Sequence, residues 1–591
     1  MKDLTPLRTW LREHGLAAFI FPSTDPHSGE YVPDHWKTRE WISGFNGSAG
    51  TAIVTLDDAA LWTDSRYFLA AEEQLQGTPF RLMKEKVPGT PTISEWLGQV
   101  LPKGSTVGVD GNVNTLQQWR QWMKELNQHQ LALSWHEDPA SELWKDRPAL
   151  PSTPIEIQPI EYAGEEARHK IQRVRKELTK LGVSGTFITQ LDDIAWLTNL
   201  RGTDVHCCPL FVSYMLVTDD EAFLYVNPDK VSEEVGAYLK QQGITLKSYF
   251  SVSSGLSGYL YKDILIDPAC TNVVLPSCVP NDTKILEHSS LIAPMKAIKN
   301  EVEIAGYRNA MRRDGVALVK FLRWLKPAVE AGGETEMSID RRLTDLRRKQ
   351  PLFRDISFDT IAGYAAHGAI VHYEATLETD APLQPRGLLL LDSGAQYQDG
   401  TTDITRTIAL GPLTEEECID YTLVLKGHIR LAMAKFPAGS SGTQLDVLAR
   451  YAMWQHGLNY LHGTGHGVGS YLNVHEGPHQ IRMNYMPTPL VAGMTVTNEP
   501  GIYKAGSHGC RTENTQLITH YCDGEFGEFL QFEPLTLCPI DTTPIRRELM
   551  LPDELDWLNQ YHQHVYDELS PLLDDEADRQ WLREATRPIS K

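Results

Sequence analysis

At 591 residues the chain is too long for one hydrophobic core, so about two to four domains are expected. A formal net charge of −22, with no lysine- or arginine-rich block, argues against nucleic acid or an acidic membrane surface as the main partner. No run of about 18 apolar residues exists to span a membrane, and Leu16 to Phe21, the longest apolar run near the N-terminus, is too short for a signal peptide. The eight cysteines form no Cys-x-x-Cys pair, which fits free thiols in a reducing, cytoplasmic setting.

Residues 4 to 14 carry a helical pattern that stops at Gly15. A strand over Leu16 to Phe21, a polar loop, the stretch Trp41-Ile42-Ser43-Gly44-Phe45-Asn46-Gly47 and strands at Thr51 to Thr55 and Ala60 to Thr63 follow. Helix and strand alternate, as in an α/β layer domain. The same order returns: a helix over Arg175 to Leu181 stopped by Gly182, a strand over Val183 to Ile188, then Trp196-Leu197-Thr198-Asn199-Leu200-Arg201-Gly202, 155 positions after its counterpart. Strands at Leu210 to Val217 and Ala222 to Val226 complete the second copy, and Pro148 to Pro159 reads as the linker.

A third region opens with a capping-box pattern at Asn300 and Glu303 and a long helix expected to stop before Pro327. Further helices are expected from Thr335 to about Lys349, from the Thr414/Glu417 capping pattern, and between Thr443 and Gly457. Strands are expected around Asp359 to Ala362, Ile370 to Tyr373, Leu388 to Asp392, Ile404 to Ala409 and Met494 to Thr497, giving an α+β domain. The tail from Pro552 reads as two polar helices broken near Pro571.

The chemistry gathers in that third region. Four leucines, Leu388 to Leu391, read as a strand buried on both faces, yet the run ends on Asp392, turns at Asp399-Gly400 and meets a second acid at Asp403. Two acids in one buried place need a counter-charge, no lysine lies in the stretch, and a metal is the economical answer. Downstream, His462-Gly463-Thr464-Gly465-His466-Gly467-Val468-Gly469 is too glycine-rich for a helix, so its backbone should approach something closely. Glu499 and Glu513 adjoin strand-like segments, as Asp392 does. Four carboxylates and one imidazole suit hard or borderline divalent ions such as Mn²⁺, and four negative charges balance two of them. A hydrolytic site with two ions about 3.5 Å apart follows.

Plainer readings apply to several other residues. His475-Glu476-Gly477-Pro478-His479 fits H-E-x-x-H in letters, but Gly-Pro forbids the helix which that zinc motif needs. The glycines at 463, 465, 467 and 469 lack the spacing of a dinucleotide loop. His367 reads as an ordinary loop residue, while Trp62 and Arg66 read either as structural or solvent residues or as reaching a partner subunit's site.

Asp-Ser-Gly-Ala-Gln-Tyr-x-Asp-Gly-Thr-Thr-Asp and His-Gly-Thr-Gly-His-Gly-Val-Gly, in that order, resemble the pita-bread metallopeptidases, and nearly the whole chain resembles the large cytosolic type of Xaa-Pro aminopeptidase. The resemblance implies two creatinase-like N-terminal α/β domains (1–150 and 156–298), a pita-bread α+β catalytic domain (299–525) and a C-terminal extension (526–591). It implies that Asp392 ligates one metal, His466 and Glu499 the other, and that Asp403 and Glu513 bridge them; Mn²⁺ is the expected ion, with Zn²⁺ or Co²⁺ as alternatives. His372, His462 and His475 are implied around the substrate, with Tyr503 and Arg511 behind them. The expected reaction is attack of a metal-bridging hydroxide on the bond before a penultimate proline, with Glu499 moving the proton, in a homodimer. A prolidase that takes only Xaa-Pro dipeptides and a non-catalytic pita-bread binding module are the alternatives.

Overall fold

The computed structural model describes residues Asp3 to Ser590, which divide into two compact units. One comprises residues up to Pro159 with Glu165–Ile292; the other comprises Ile160–Gly164 with Ala293 onward.

The first unit holds two six-stranded sheets of the same topology. Across the first, the order is Arg81–Lys84, Ala59–Thr63, Thr51–Thr55, Ala18–Pro22, Thr106–Asp110 and Ala132–His136. Across the second it is Thr245–Ser248, Ala222–Val226, Ser213–Thr218, Gly185–Ile188, Asp263–Ile266 and Lys284–Glu287. In both, the third strand pairs antiparallel with its two neighbours, and the remaining pairs are parallel. The repeated tryptophan motif also has a shared conformation. It ends a helix in each copy (Thr38–Ser43 and Leu191–Thr198), and the residue after each helix, Gly44 or Asn199, is left-handed at φ +81° or +52°. Such a stop satisfies the last helical carbonyls and favours Gly or Asn. Trp62 lies in the core and donates to Pro91 O, and Arg66 is paired with Asp64 in its own chain, so both have structural partners here.

The second unit is built on short antiparallel sheets. Leu388–Ser393 lies between Ile361–Tyr364 and Ile404–Ala409. Its four leucines are buried on both faces: Leu389 and Leu391 join one core cluster and Leu388 another. Beyond it, Ala395–Tyr397 pairs with Gly400–Thr401, so the tight turn falls at Gln398-Asp399. Lys435–Pro437, Gly527–Pro534, Asn514–Gly524 and Thr495–Asn498 form a second sheet.

The long helix, Glu301–Ala331, starts with the expected Asn300/Glu303 capping box but runs through Pro327 instead of stopping before it. Proline there removes one N–H from the ladder. The last turn is held by Leu325 and Val329, both wholly buried. The expected strand at Ile370 to Tyr373 is a 3₁₀ turn at Ala365–Ala369 followed by loop. Neither C-terminal helix is polar all round: Pro552–Leu569 buries Leu555, Leu558, Tyr561, Val565 and Leu569 in the core cluster that holds Leu388. Among the described residues, no helix is long and apolar enough to cross a membrane.

Candidate metal centre

Two antiparallel strand pairs each deliver two acids at one end. In the first, Asp392 faces Thr405 and Ser393 faces Ile404, which leaves Asp403 one residue ahead of its strand. In the second, Asn498 faces Asn514 at the end of the ladder, so Glu499 and Glu513 leave the sheet side by side. The pairs are joined where the Glu513 N–H donates to Thr405 O at 3.1 Å. His466 comes from the short strand Gly465–Gly467. Its glycines are needed for close approach: a Cβ on Gly465 would collide with Thr497 O, and one on Gly467 with Glu476 O.

Ligand atoms of Asp403, His466 and Glu513 all lie within 4.8 Å of one another. His466 Nε2 is 3.4 Å from Asp403 Oδ2 and 3.4 Å from Glu499 Oε1. Its Nδ1 lies 2.8 Å from Gly467 O; a proton held there leaves Nε2 as the free donor atom, the usual arrangement behind a metal-bound imidazole. Asp392 shares the cluster: one oxygen accepts from Arg511 at 2.6 Å, while Oδ1 is buried with no hydrogen-bond partner.

The electrostatics of the cluster call for cations. Burial, and then repulsion from Asp403, Glu499 and Asp392, drives the Glu513 carboxyl well above the usual range. Burial and the Asp403 charge likewise raise Asp392 against the pull of Arg511. Glu499 is pushed up to about 7, by burial first and then by Asp403 and Asp392 against His466 and Arg511. For His466, burial favours the neutral ring, but Asp403 and Glu499 outweigh it and bring the imidazole to about 9. Carboxylates that hold protons because they are buried and crowd one another give them up to a divalent cation. Four carboxylates, an imidazole fixed by its other nitrogen and an orphaned buried oxygen fit two divalent ions.

The remaining expected residues frame this cluster. The His475 ring meets His466 edge-on at 4.3 Å between centroids. His462 Nε2 is 2.7 Å from the Tyr503 hydroxyl, which accepts from Arg511 at 2.8 Å. His462 is thus linked to Asp392 through Tyr503 and Arg511. His372 follows Val371, whose carbonyl is 3.4 Å from the same guanidinium. His367 is bound to Glu336 and belongs to the loop's framework. His479 lies on the strand Glu476–Ile481, where its Nε2 is 2.7 Å from Thr495 O, so the H-E-x-x-H letters form no helical pair.

Sequence reading missed Thr405. Its hydroxyl donates to Glu513 Oε2 at 2.6 Å and accepts from Arg511 Nε at 3.1 Å, tying the two strand pairs together. The signal was its position two residues after Asp403, hence on the same face of an extended strand. Arg406, on the opposite face, is buried and donates to the carbonyls of Thr405, Glu513, Cys538 and Pro539 and to Asn514 Oδ1 and the Tyr561 hydroxyl.

Comparison with known proteins finds matches along nearly the whole chain. The profile of metallopeptidase family M24 matches residues 305–520, and the C-terminal region of that peptidase matches 528–589. The Creatinase/Prolidase N-terminal domain matches twice, at 4–134 and 146–303. Aminopeptidase P2 of Arabidopsis thaliana is 41% identical, covering 98% of this chain and 86% of its own length. Xaa-Pro aminopeptidase 1 of Dictyostelium discoideum is 38% identical, covering 100% and 96%. The crystal structure of X-prolyl aminopeptidase from Caenorhabditis elegans, described as a cytosolic enzyme with a di-nuclear active site, superposes with a TM-score of 0.93 at 36% identity, covering 97% of this chain and 95% of its own. The Xaa-Pro dipeptidase of Bacillus anthracis, 24% identical with a TM-score of 0.52, covers 64% of this chain and 99% of its own, a likeness of fold.

Proposed function

Because this chain belongs to metallopeptidase family M24, alongside the Xaa-Pro aminopeptidases, we propose that it removes the N-terminal residue from peptides whose second residue is proline. The observation that carries the reading is the convergence of Asp392, Asp403, His466, Glu499 and Glu513 on one buried place, with a histidine network around it. Asp403 and Glu513 would be shared by two ions, Asp392 would serve one, and His466 and Glu499 the other. Mn²⁺ suits this oxygen-rich set first, before Zn²⁺ or Co²⁺.

When bound, two divalent ions acidify a water toward neutrality and polarise the scissile carbonyl. The chain's own residues supply the rest. Glu499, at the edge of the carboxylate cluster, is the group to receive a proton and pass it to the leaving nitrogen. That step matters because the proline nitrogen has no N–H and must be protonated before it leaves. His372 and His475 hold the substrate and stabilise charge developing on the carbonyl oxygen. His462, with Tyr503 and Arg511 behind it, orients the peptide on the other side. The carboxylate cluster favours a free α-amino group beside it, which accounts for exopeptidase action. We read the protein as a cytoplasmic homodimer, a reading supported by its likeness to the cytosolic nematode enzyme and by family resemblance.

The test is hydrolysis of Arg-Pro-Pro by the Mn²⁺-loaded protein. Release of arginine supports an aminopeptidase. A protein that cleaves Arg-Pro but leaves Arg-Pro-Pro intact is a prolidase, and one that cleaves neither with two ions bound is a binding module.

A further inference from the structure

We infer that Glu336 is a positioning residue for the reaction, setting His372 by closing the loop that carries it. The inference rests on the reading of His372 as a substrate residue. Glu336 is the first residue of the helix Glu336–Arg348, and it is wholly buried. An acid in the first turn of a helix is common and ordinarily faces solvent or its own N–H groups. Here the carboxylate serves a different segment. It accepts from the Tyr364 N–H at 2.8 Å and from the Ala381 N–H at 3.1 Å, the two ends of the loop. Within the loop it accepts from the Tyr373 hydroxyl at 2.8 Å, and both of its oxygens are within 3.0 Å of His367 Nδ1. His367 and Tyr373 pack ring against ring at 4.4 Å, so both side chains are fixed by one carboxylate.

The loop is pinned at its base and on both sides of His372. The base is reinforced by the Glu336 N–H on Ala381 O and by Asp380 Oδ1 accepting from the Met337 N–H at 2.9 Å. Its early part packs backbone to backbone, Gly368 on Gly509, two residues from Arg511. Val371 O faces the Arg511 guanidinium, which holds Asp392. Loops are the mobile parts of a fold, and a buried carboxylate with four donors from one loop removes that freedom. His372 sits between Val371, tied to the metal cluster, and Tyr373, tied to Glu336. Its placement relative to the ions is therefore set from both neighbours.

The test is a double-mutant cycle on the Mn²⁺-loaded enzyme with Arg-Pro-Pro, using Glu336→Gln, His372→Ala and the pair. Glutamine keeps one acceptor oxygen but turns an NH₂ toward the loop's donors. A displacement of about 1 Å in a reacting geometry costs up to about 100-fold, so kcat should fall by about 10- to 100-fold with KM little changed. Calorimetric Mn²⁺ binding should match wild type, and the double variant should be no slower than His372→Ala alone. Losses that multiply, or a wild-type kcat in Glu336→Gln, overturn the inference. A fully active His372→Ala removes the underlying reading and the inference with it. Should Glu336→Gln not fold, Tyr373→Phe, which deletes one of the four bonds, carries the same cycle: a smaller loss absent in the His372→Ala background supports the inference, and no loss or a multiplying one overturns it.

Discussion

Asp392 and Arg511 stand 2.6 Å apart, both buried, and one guanidinium holds that carboxylate while touching Tyr503 and Thr405 as well. The arginine answers part of the charge of the acidic cluster and orients Asp392 so that its other oxygen is left free. A planar fork with four separate targets, Asp392, Tyr503, Thr405 and Val371 O, has no lysine equivalent. Arg511→Lys should therefore lower kcat on Arg-Pro-Pro by at least about tenfold, because outer-shell partners of metal ligands are worth about 10- to 100-fold. Wild-type kinetics in that variant would show that Asp392 needs only a positive charge nearby.

Metal removal should be felt in stability, and more at high pH. Without ions, Glu499 at about 7 and His466 at about 9 both take up protons more readily in the fold than when unfolded. Groups raised in this way stabilise the metal-free fold at low pH, and that contribution is lost as pH rises, from about 4.5 to 7 for Glu499 and from about 6.5 to 9 for His466. The rise in melting temperature on adding Mn²⁺ should thus be larger at pH 8 than at pH 6. Asp403→Ala, lacking a shared carboxylate, should show little rise at either pH and no peptidase activity. A Mn²⁺ effect larger at pH 6 would contradict the electrostatic account.

Thr405 supplies the tie between Glu513 and Arg511. Valine has nearly the same shape without the hydroxyl, so Thr405→Val leaves a buried carboxylate oxygen and a guanidinium N–H without that partner. A penalty of about 1–3 kcal/mol is expected for such orphaned groups. It should appear as weaker Mn²⁺ binding by calorimetry together with a lower kcat. Unchanged affinity would reduce Thr405 to a strand residue.

Asp392, Asp403 and the glycine-flanked His466 were readable in the sequence because each violates its surroundings: acids end an apolar strand, and glycines fill a segment otherwise fit for a sheet. The duplicated domains were readable because the Trp41 and Trp196 motifs recur within the same order of helices and strands, and the structure adds a shared left-handed stop at Gly44 and Asn199. Thr405, Arg406 and Glu336 violated nothing locally. A threonine in a strand and an acid opening a helix are ordinary, and their meaning lies in partners brought by the fold: Glu513 for Thr405, Tyr561 for Arg406, and a loop about 30 to 45 positions away for Glu336. The strand expected at Ile370 to Tyr373 failed for the same reason. Ile370 and Val371 favour a strand, but Glu336 captures Tyr373 and Gly368 packs on Gly509, and the segment lies outside any sheet.

The C-terminal region, which read in the sequence as two polar helices, supports the strand after Asp403 through Arg406. The Tyr561 hydroxyl accepts from that guanidinium at 3.0 Å and donates to Thr536 O at 2.8 Å, while its ring stacks on Trp557. Tyr561→Phe keeps the stacking and removes both bonds in a buried place. The urea midpoint should fall, with a loss of about 1–3 kcal/mol. A variant as stable as wild type would mean that Arg406 is held well enough by backbone carbonyls alone.

His562, one residue on, gives the same region a pH dependence. Its Nε2 accepts from the Ile540 N–H at 3.1 Å, and the ring is wholly buried. Burial first, then the positive charge of Arg406, pulls its pKa down to about 4. An unfolded histidine titrates near 6.5. Between those values the unfolded chain binds a proton that the folded chain refuses, so the stability contributed by this residue is complete above about pH 6.5 and lost as pH falls toward 4. One such group changes unfolding free energy by up to about 1.4 kcal/mol per pH unit in that window. His562→Gln retains an acceptor for the Ile540 N–H but cannot titrate. Urea midpoints taken at pH 7.5, 6 and 5 should fall more steeply in wild type than in the variant, although His428, buried and held at about 3, keeps some slope in both. Parallel slopes would place the acid sensitivity elsewhere in the fold.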